Sequence, residues 1–530
     1  MPTLNWIGKE AVVRHHREVP LRLLEPVPEL SCGGAESGNL IVQGDNLHAL
    51  KALLPCYAGQ VKCIYIDPPY NTGNEGWVYN DNVNSPEIRR WLGAVVGKEG
   101  ETLDRHDRWL CMMYPRLVLL KQFLREDGSI WISMDESEIA HLRLLMDEIY
   151  GRSRFIACNA WQKRYSRENR GAIGDVHEYI MVYALKPELF QATRNRVPID
   201  EKQAAIYKNP NQDPKGRWRG IPMTAQGYRP NQMYEIETPS GRFVRPPEGR
   251  CWSTIESEFM KLKAAGRVYF GKDGSAQPNT IRYLSEVEGF VPWTWWPHEE
   301  VGHTDESRKE IQDIFGTQTA FDTPKPTRLI QRILQIATDR ESLVLDSFAG
   351  SGTTGHAVLK QNSDDGGHRR FILVELDNSI ACNVTAQRVK RAAQGYTNAK
   401  GNAIDGLGGG FQFCRLSAEP LFDPTGQVRA DVTFAQLAEF VWFAETGTGY
   451  SGTADGPLIG THEGRAIYLL YNGILKDQSP AGGNVLTGPV FDSLPRFAGP
   501  KVIYAAANRL GTRTAREGIT FKQTPYALDL

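Results

Sequence analysis

Short apolar strands alternate with amphipathic helices in two separate stretches of this 530-residue chain. Such alternation is typical of α/β folds, in which strands form a largely parallel sheet between layers of helices. The two stretches, residues 38–185 and 291–398, are therefore predicted to form the α/β part of the protein. The predicted strands lie at residues 39–42, 61–66, 129–134, 155–161, 179–185, 342–345 and 371–374.

Three further regions lack this alternation. Residues 1–37 form a polar, proline-containing arm, and residues 186–290 hold many Pro, Gly, Arg and aromatic residues with little clean periodicity. The second of these regions is predicted to be an irregular domain inserted into the α/β part. Residues 399–530 combine a glycine-rich turn, one clear helix and several strands, which predicts a small α+β C-terminal domain.

Composition and charge exclude several classes of protein. The apolar fraction of 41% and the charged fraction of 23% are those of an ordinary folded protein, and the net charge of −1 gives no general sign of nucleic-acid binding. None of the eight cysteines forms a CxxC pair, and His298 and His303 are not at the spacing of a zinc-protease helix, so no metal site is predicted. No run approaches the roughly 20 apolar residues that cross a bilayer, which predicts a cytoplasmic protein that does not contact a membrane.

A glycine-rich turn connects the strand at 342–345 to the helix that follows it. Its sequence, LDSFAGSGTTG, runs from Leu345 to Gly355, and Glu375 stands at the end of the next strand. Glycines let a backbone approach a ligand closely, and a carboxylate in the second position can accept the hydroxyl protons of a ribose. The pattern predicts a nucleoside cofactor, and a dinucleotide stays possible from this turn alone. The turn residues predicted to contact the cofactor are Asp346, Phe348, Gly350, Gly352, Thr353 and Thr354.

The tetrapeptide Asp67-Pro68-Pro69-Tyr70 follows the strand at 61–66 and so lies at a carboxyl edge of the sheet, where ligands bind. Its two prolines remove two backbone donors and fix φ, which leaves a rigid stretch with outward carbonyl groups. An aromatic amino group is a poor nucleophile because its lone pair is delocalised into the ring. Asp67 and the Pro68 carbonyl can accept both amino protons and free that lone pair, while Tyr70 can stack on an extruded base. These four residues are the predicted catalytic motif.

Together these motifs resemble the β class of N6-adenine DNA methyltransferases, in which the catalytic motif precedes the glycine-rich cofactor motif. In this chain the segment Asp67–Tyr70 precedes the segment Phe348–Gly352. Two more segments, Lys325-Pro326-Thr327 and Gly302–Ile311, also resemble this family, and in particular the Mod subunits of type III restriction–modification systems.

The resemblance covers residues 38–185 and 295–395 well, and it implies a fold, a cofactor and an activity. The fold is a Rossmann-like methyltransferase sheet of seven strands from both halves of the chain, in permuted motif order, with residues 186–290 as a target-recognition domain. The cofactor is S-adenosylmethionine, and the activity is methylation of N6 of a flipped-out adenine in double-stranded DNA. The further residues that the resemblance places at the cofactor are Asp45, Asp67, Lys325, Thr327 and Glu375.

Local clusters of basic and aromatic residues are the predicted DNA contacts. Residues 152–170 hold six Lys or Arg residues against one acid, Glu168, with Trp161 and Tyr165 among them. Basic and aromatic residues in alternation suit phosphates and unstacked bases, and the insert contains a second such group. The residues selected as DNA contacts are Lys163, Arg164, Arg167, Arg217 and Arg219.

Several functional alternatives stay open at this point. An N4-cytosine methyltransferase would use the same machinery, although such enzymes usually carry Ser at the position of Asp67. A catalytically silent DNA-recognition subunit, or a methyltransferase that acts on protein or RNA, would keep the same fold. The likeness to Mod subunits implies a homodimer and a helicase–nuclease restriction partner, whereas a stand-alone methyltransferase would have similar motifs.

Overall fold

The computed structural model describes residues 4–34, 37–72, 105–166, 173–199, 201–316, 321–471 and 484–524. The chain divides into two compact units. The first comprises Met1–Asn195 and Trp293–Leu530, and the second comprises Arg196–Pro292. The first unit therefore holds both predicted α/β stretches and the C-terminal region, and the second holds most of the predicted insert.

A ten-stranded mixed sheet is the framework of the first unit. In chain order its strands are β1 (Arg22–Pro26), β2 (Leu40–Gln43), β3 (Val61–Ile66), β4 (Leu124–Met134), β5 (Phe155–Gln162), β6 (His177–Ala184), β7 (Trp295–Trp296), β8 (Leu343–Asp346), β9 (Arg370–Glu375) and β10 (Gln412–Pro420). Their order across the sheet is β1-β10-β2-β9-β8-β3-β4-β6-β5-β7. The strands from β10 to β4 run parallel, β6 is antiparallel to both of its neighbours, and β1 is antiparallel to β10.

The sheet has more strands than the seven that the sequence predicts. The predicted strands correspond to β2–β6, β8 and β9, which are adjacent in the sheet. The three additional strands are at the edges: β1 from the predicted arm, β10 from the predicted C-terminal domain, and the two-residue β7. The residues of β1 are half-buried or exposed, so this edge strand lacks the continuous apolar run that marks a strand covered on both faces.

Strand β8 joins the two halves of the chain. Val344 in β8 pairs with Phe371 of β9 on one side and with Cys63 of β3 on the other. All residues of β3 and β8 are buried, as expected for parallel strands with helices on both faces. The carboxyl ends of β3, β8 and β9 therefore lie side by side, although β3 precedes β8 by almost 280 residues of sequence (Ile66 to Leu343).

The helices that cover the sheet follow the apolar periodicity of the sequence. In Thr327–Ala337, for example, Leu329, Ile330, Ile333 and Leu334 are completely buried, while charged and amide side chains alternate with them. The longer helices of the first unit are α1 (Asn46–Tyr57), α2 (Arg105–Phe123), α3 (Ile139–Met146), α4 (Thr304–Phe315), α5 (Thr327–Ala337), α6 (Thr353–Asp365), α7 (Ala386–Gln394) and α8 (Phe434–Thr446).

The C-terminal region builds a second sheet in the first unit. Its four strands, in spatial order, are β11 (Leu458–His462), β12 (Arg465–Leu469), β13 (Lys501–Ala505) and β14 (Ile519–Gln523). Alternate residues of β12 pack into two apolar clusters, with Ile467 in the cluster that includes α8 and Tyr468 in the opposite one. Among the described residues, no helix combines the length and the apolar character needed to cross a membrane.

The second unit has short strands and its own apolar core. Buried side chains of Met223, Ile236, Trp252 and Phe259 form that core. The irregular composition of this region agrees with its structure, because no strand in the described part of the unit exceeds five residues. The strands and the longer helix of this unit are Trp218–Pro222, Thr224–Gln226, Ile236–Glu237, Phe243–Val244, Arg250–Trp252, Val268–Tyr269, Asn279–Tyr283 and Glu256–Ala264.

Candidate active site

A cavity of about 580 Å³ opens at the carboxyl ends of β3, β8 and β9. Its size lies within the range of pockets that bind small molecules and cofactors. Residues from both predicted motifs line it, although the motifs are far apart in the sequence. The predicted catalytic and cofactor-binding residues in its wall are Asp67, Pro68, Pro69, Tyr70, Lys325, Asp346, Phe348, Gly350, Thr353, Thr354 and Glu375.

The carboxylate of Asp67 is paired with the ammonium group of Lys325. Lys325 Nζ lies 2.7 Å from each oxygen of Asp67. Burial raises the pKa of Asp67, and the neighbouring Lys325 partly offsets that rise. Burial alone would lower the pKa of Lys325, but the carboxylates of Asp67 and Glu178 raise it, so the ammonium stays charged. A ligand amine that binds Asp67 must therefore share its oxygens with Lys325 or displace it.

The side chain of Tyr70 is held by two groups. Lys325 Nζ lies 4.8 Å from the ring centroid, and the Tyr70 hydroxyl donates a hydrogen bond of 3.0 Å to Glu178 Oε2. Burial and the nearby carboxylates of Asp67 and Glu178 raise the pKa of Tyr70 well above its usual range, so the hydroxyl keeps its proton and acts as a donor. Tyr70 is thus fixed both at its ring and at its hydroxyl.

Glu178 is a cavity residue that the sequence analysis missed. It comes from β6, with one oxygen 3.8 Å from Lys325 Nζ and the other 3.4 Å from Lys163 Nζ. Its strand, HEYIMVYA, is apolar and aromatic after the first two residues. A carboxylate directly before such an apolar run is a sequence signal that could have indicated Glu178 as a cavity residue.

The loop that contains the catalytic motif is tied to the helices beside it. The indole Nε1 of Trp109, in α2, donates a hydrogen bond of 2.8 Å to the carbonyl of Pro69. The next residue after the motif, Asn71, has a φ of 61° and is buried. Its side-chain amide donates a hydrogen bond to the carboxylate of Glu138, the residue just before α3. Asn tolerates this left-handed conformation better than most residues, so the loop shape and the residue type agree.

The buried carboxylate of Glu138 forms hydrogen bonds with several side chains. His106 Nδ1 lies 2.6 Å from Oε1, and His141 Nδ1 lies 2.8 Å from Oε2. His106, Glu138 and His141 are also residue types that bind metal ions, with ligand atoms within 4.8 Å of one another, whereas the sequence predicts no metal site. The two distances are those of hydrogen bonds, and a completely buried carboxylate needs such donors. The cluster therefore fits a hydrogen-bonded anchor for Asn71.

The glycine-rich turn is shaped by two carboxylates. Asp346 accepts hydrogen bonds from the Phe348 amide at 3.0 Å and from the Thr354 hydroxyl at 2.5 Å. Gly350 has a φ of 49°, and its amide donates to Glu375 Oε2 at 2.8 Å. A Cβ atom at Gly350 would come within 3.1 Å of the Phe321 ring, so glycine suits both the backbone conformation and the available space.

Burial changes the ionisation of both of these carboxylates. It raises the pKa of Asp346 to about 7, an effect that the hydrogen bonds from Thr354 and Phe348 partly oppose. It also raises the pKa of Glu375 to about 7, against the backbone hydrogen bonds from Asp377 and Gly350. Perturbed carboxylates in a cavity are typical of functional sites.

Behind the turn lies a buried guanidinium group that the sequence analysis missed. Arg388, in α7, is completely buried and donates to the hydroxyls of Ser351 at 3.0 Å, Thr353 at 2.7 Å and Thr327 at 3.1 Å. Its charge is balanced by Glu310, 3.4 Å away. Thr327 does not line the cavity. It supports the turn through Arg388 and Glu310, and its contact with a cofactor stays a prediction.

Asp45 and Gly352 also lie outside the wall of the cavity. Asp45 caps α1 by accepting hydrogen bonds from the amides of Leu47 at 3.0 Å and His48 at 3.2 Å, and it pairs with Arg116 at 3.2 Å. It lines a separate cavity of about 340 Å³. An acid directly before a helix is a common N-cap, and this local role competes with the predicted contact to a cofactor. Gly352 caps α6 with a φ of 76°.

The predicted DNA contacts of the first unit have different surroundings. Lys163 lines the cavity and is paired with Asp175 at 2.7 Å as well as with Glu178, so its charge is balanced locally. Arg164 is exposed. Arg167 lies outside the described residues. The run of positive charge between residues 152 and 170 is therefore partly neutralised by two acids that follow it in the sequence.

The two predicted DNA contacts of the second unit are both near its surface. Arg217 is exposed and lies 3.5 Å from Glu201, and Arg219 is half-buried with its guanidinium 5.4 Å from the centroid of Tyr207. These contacts are within the unit itself. DNA binding by Arg217 and Arg219 stays a prediction.

Comparison with known proteins identifies the family. A family model described as DNA methylase, for N6 and N4 methyltransferases, matches residues 61–387, a span that includes both the Asp67–Tyr70 motif and the glycine-rich turn. The chain belongs to the DNA methylase family. The resemblance to DNA methyltransferases that the motifs indicate is thereby confirmed.

Curated relatives of this DNA methylase include restriction–modification proteins. It is 36% identical to the StyLTI Mod subunit of a type III restriction–modification enzyme from Salmonella typhimurium, over 73% of this chain and 60% of the relative. It is 33% identical to the EcoPI Mod subunit from Escherichia phage P1, over 71% of this chain and 64% of that subunit. It is 30% identical to the type II methyltransferase M.KpnI from Klebsiella pneumoniae, over 64% of this chain and 80% of the relative. The matched region thus spans less than two thirds of the Mod subunits.

Proposed function

We propose that this chain transfers a methyl group from S-adenosylmethionine to N6 of a flipped-out adenine in double-stranded DNA, as the modification subunit of a restriction–modification system. One observation carries the proposal: a single cavity holds both the glycine-rich turn with Glu375 and the Asp67–Tyr70 motif. Membership of the DNA methylase family and similarity to Mod subunits support it.

The cavity wall fits an adenosine-type cofactor. Glu375, at the end of β9, can accept hydrogen bonds from ribose hydroxyls in addition to those from backbone amides, because each carboxylate oxygen has two lone pairs. The backbone of Gly350 permits close approach, and Phe348 supplies an apolar contact. When bound, S-adenosylmethionine supplies an electrophilic methyl group on a sulfonium centre. Asp346, Thr353 and Thr354 hold the turn that these contacts depend on.

Asp67 and its neighbours prepare the acceptor nitrogen. The Asp67 carboxylate and the Pro68 carbonyl would accept the two amino protons, which would draw the lone pair out of the aromatic ring. Asp67 orients the amino group and does not need to be a full general base, since the methylated nitrogen is acidic enough to lose its proton afterwards. Tyr70 offers a ring for stacking of the extruded base. The contribution of the protein is mainly position and charge complementarity.

The choice of base depends on Asp67. An adenine-N6 enzyme is favoured because N4-cytosine enzymes usually carry Ser at this position, and the family includes enzymes of both kinds. A catalytically silent recognition subunit is disfavoured, because Asp67, Tyr70, Gly350 and Glu375 are all present and line one cavity. N4-cytosine methylation is the second candidate.

DNA recognition and partners are also part of the proposal. Residues 186–290 would contact the recognition sequence, with Arg217 and Arg219 among the contacts, and exposed Arg164 would contact DNA near the cavity. Similarity to Mod subunits supports a homodimer and a helicase–nuclease restriction partner. A cytoplasmic location agrees with these partners.

Affinity for S-adenosylmethionine is expected to decrease as the pH falls through 7. Glu375 must be ionised to accept ribose hydroxyl protons, and burial raises its pKa to about 7. One unit below its pKa, about a tenth of a carboxylate is ionised, so the Kd is expected to rise about tenfold between pH 8 and pH 6. Calorimetric titration at both pH values measures this change.

The Glu375→Gln variant is the control, because Asp346 also has a pKa near 7. It should bind the cofactor more weakly than wild type at pH 8 and show a smaller change between pH 8 and pH 6. If the wild-type Kd were equal at both values, the proposed contact between Glu375 and the ribose would be incorrect.

Sequencing of modified bases in DNA from cells that express this chain alone tests the proposed function. The expected result is N6-methyladenine at one short recognition sequence, and its absence from cells that carry an Asp67→Ala variant. N4-methylcytosine would favour the second candidate. Unmodified DNA, together with cofactor binding by the purified chain, would favour a silent recognition subunit.

A further inference from the structure

Lys325 occupies the position that the target amine needs. Its ammonium nitrogen lies 2.7 Å from both oxygens of Asp67, and both side chains are largely buried. An amino group that donates to Asp67 must share these oxygens with Lys325 or displace it, and crowding of two donors at one carboxylate favours displacement. A buried ammonium that lost its partner would carry a large desolvation penalty. Lys325 therefore needs a second acceptor within reach.

Glu178 is that second acceptor in the structure. Its side chain is only 12% exposed, and Oε2 lies 3.8 Å from Lys325 Nζ, so a displacement of about 1 Å would bring the two groups to the distance of a charged hydrogen bond. The same oxygen accepts the hydroxyl proton of Tyr70 at 3.0 Å. One carboxylate thus contacts both the stacking residue and the lysine that occupies Asp67.

We propose that Glu178 is a positioning residue for methyl transfer. It holds the ring of Tyr70 in place for the extruded base, and it receives the Lys325 ammonium when the target amine binds Asp67. Lys163, 3.4 Å from the other oxygen of Glu178, helps to orient that carboxylate. This proposal rests on the proposed amino-methyltransferase function, and it adds a role for a residue outside the two motifs.

The Glu178→Gln variant separates the two parts of this role. Glutamine keeps an acceptor for the Tyr70 hydroxyl but removes the charge that attracts Lys325. The single-turnover rate of methyl transfer is expected to fall about 10- to 100-fold, the range of coupling between groups in one network. The dissociation constants for S-adenosylmethionine and for DNA are expected to stay within about twofold of wild type, because neither ligand contacts Glu178 directly in this account.

Two double variants test whether Glu178 acts through Lys325. In a Lys325→Met background Asp67 is not occupied by an ammonium, so Glu178→Gln should cause almost no further loss at saturating cofactor. In a Tyr70→Phe background the hydroxyl is absent but Lys325 remains, so Glu178→Gln should still lower the rate. Equal losses of rate in the wild-type, Lys325→Met and Tyr70→Phe backgrounds would contradict the movement of the Lys325 ammonium from Asp67 to Glu178. The effect of Glu178→Gln would then be purely structural.

The matched control is Asp175→Asn. Asp175 is the second carboxylate that pairs with Lys163, at 2.7 Å, so its substitution perturbs the same cluster of charges without removing the acceptor for Lys325 or Tyr70. Its single-turnover rate should stay within about threefold of wild type. Fluorescence of 2-aminopurine at the target position, which reports base extrusion, should be unchanged in Glu178→Gln and reduced in Glu178→Ala.

The outcome for wild type keeps this test independent of the proposed function. If wild type transfers no methyl group to DNA, the proposed function fails before Glu178 is considered. If wild type is active and Glu178→Gln, with an unchanged melting temperature, transfers methyl groups at the wild-type rate, the role of Glu178 is wrong. A reduced rate that depends on Lys325 supports it.

Discussion

Replacement of Asp67 by alanine is expected to abolish methyl transfer and to leave cofactor binding largely intact. Asp67 is the carboxylate that would accept an amino proton, and Glu375, at the end of another strand, would hold the ribose. Loss of one preorganised charged contact to a reacting group typically lowers a rate by about 10²- to 10³-fold. We expect at least this loss, because the remaining acceptor would be a single backbone carbonyl.

Transfer of labelled methyl groups to DNA and calorimetric titration of the cofactor measure the two parts of this prediction. Lys325 would lose its partner in the variant, but Glu178 is 3.8 Å from its ammonium and can replace Asp67. The melting temperature should therefore change little. A variant that still methylates DNA at a near wild-type rate would remove Asp67 from the reaction.

Replacement of Arg388 by methionine is expected to destabilise the protein by about 3 kcal/mol, because removal of one member of an ion pair leaves the charge of the other without a partner. Arg388 is completely buried and binds hydroxyls on the glycine-rich turn and on α5, with Glu310 as its counter-ion. Burial lowers its pKa only to about 10, so the guanidinium is charged at neutral pH. Cofactor affinity should fall as well, because Ser351 and Thr353 lose a common donor.

Urea unfolding of the full chain measures the loss of stability, and two variants make the result specific. Addition of Glu310→Gln to Arg388→Met removes the other charge and should recover part of the stability. Arg391→Met, on the same helix, removes a half-buried arginine that packs on Phe315, 5.0 Å from its ring centroid. It should cost less than Arg388→Met. Equal stabilities of the two single variants would mean that the buried network does not hold the turn.

Much of the sheet could be predicted because its interior strands are buried on both faces. Such strands as VKCIYI and LVLD appear in the sequence as short apolar runs, whatever their neighbours are. The edge strands could not be predicted in this way. The residues of β1 are half-buried or exposed, and β10 mixes buried with exposed residues, so their pairing depends on a partner almost 400 residues away in the sequence (Arg22 opposite Pro420).

The candidate site was predictable where its chemistry is local. Asp67 and Tyr70 follow β3, Glu375 ends β9, and the carboxyl ends of parallel strands meet at one edge of the sheet. Residues whose role depends on a tertiary contact were missed. Glu178 reaches the cavity from an antiparallel strand, and Arg388 reaches the turn from a helix that follows it by two elements. The sequence around Glu178 and Arg388 does not indicate which residues they contact.

Two predicted site residues have local partners in the structure, and their contacts with a ligand stay predictions. Asp45 is assigned to a cofactor by the resemblance, yet it caps α1 and pairs with Arg116, outside the cavity wall. Lys163 belongs to a basic run in the sequence, yet Asp175 and Glu178 balance its charge in the folded protein. In both cases the side chain has an electrostatic partner that its sequence neighbours do not reveal.

Transfer of the labelled methyl group of S-adenosylmethionine by the purified chain, followed by digestion of the DNA to nucleosides, tests whether the chain methylates adenine N6. We expect label in N6-methyldeoxyadenosine with wild type, and no labelled nucleoside with Asp67→Ala at equal cofactor occupancy. Label in N4-methyldeoxycytidine would contradict the choice of base. No transfer to DNA by a wild-type chain that binds both the cofactor and DNA would contradict the proposed activity itself.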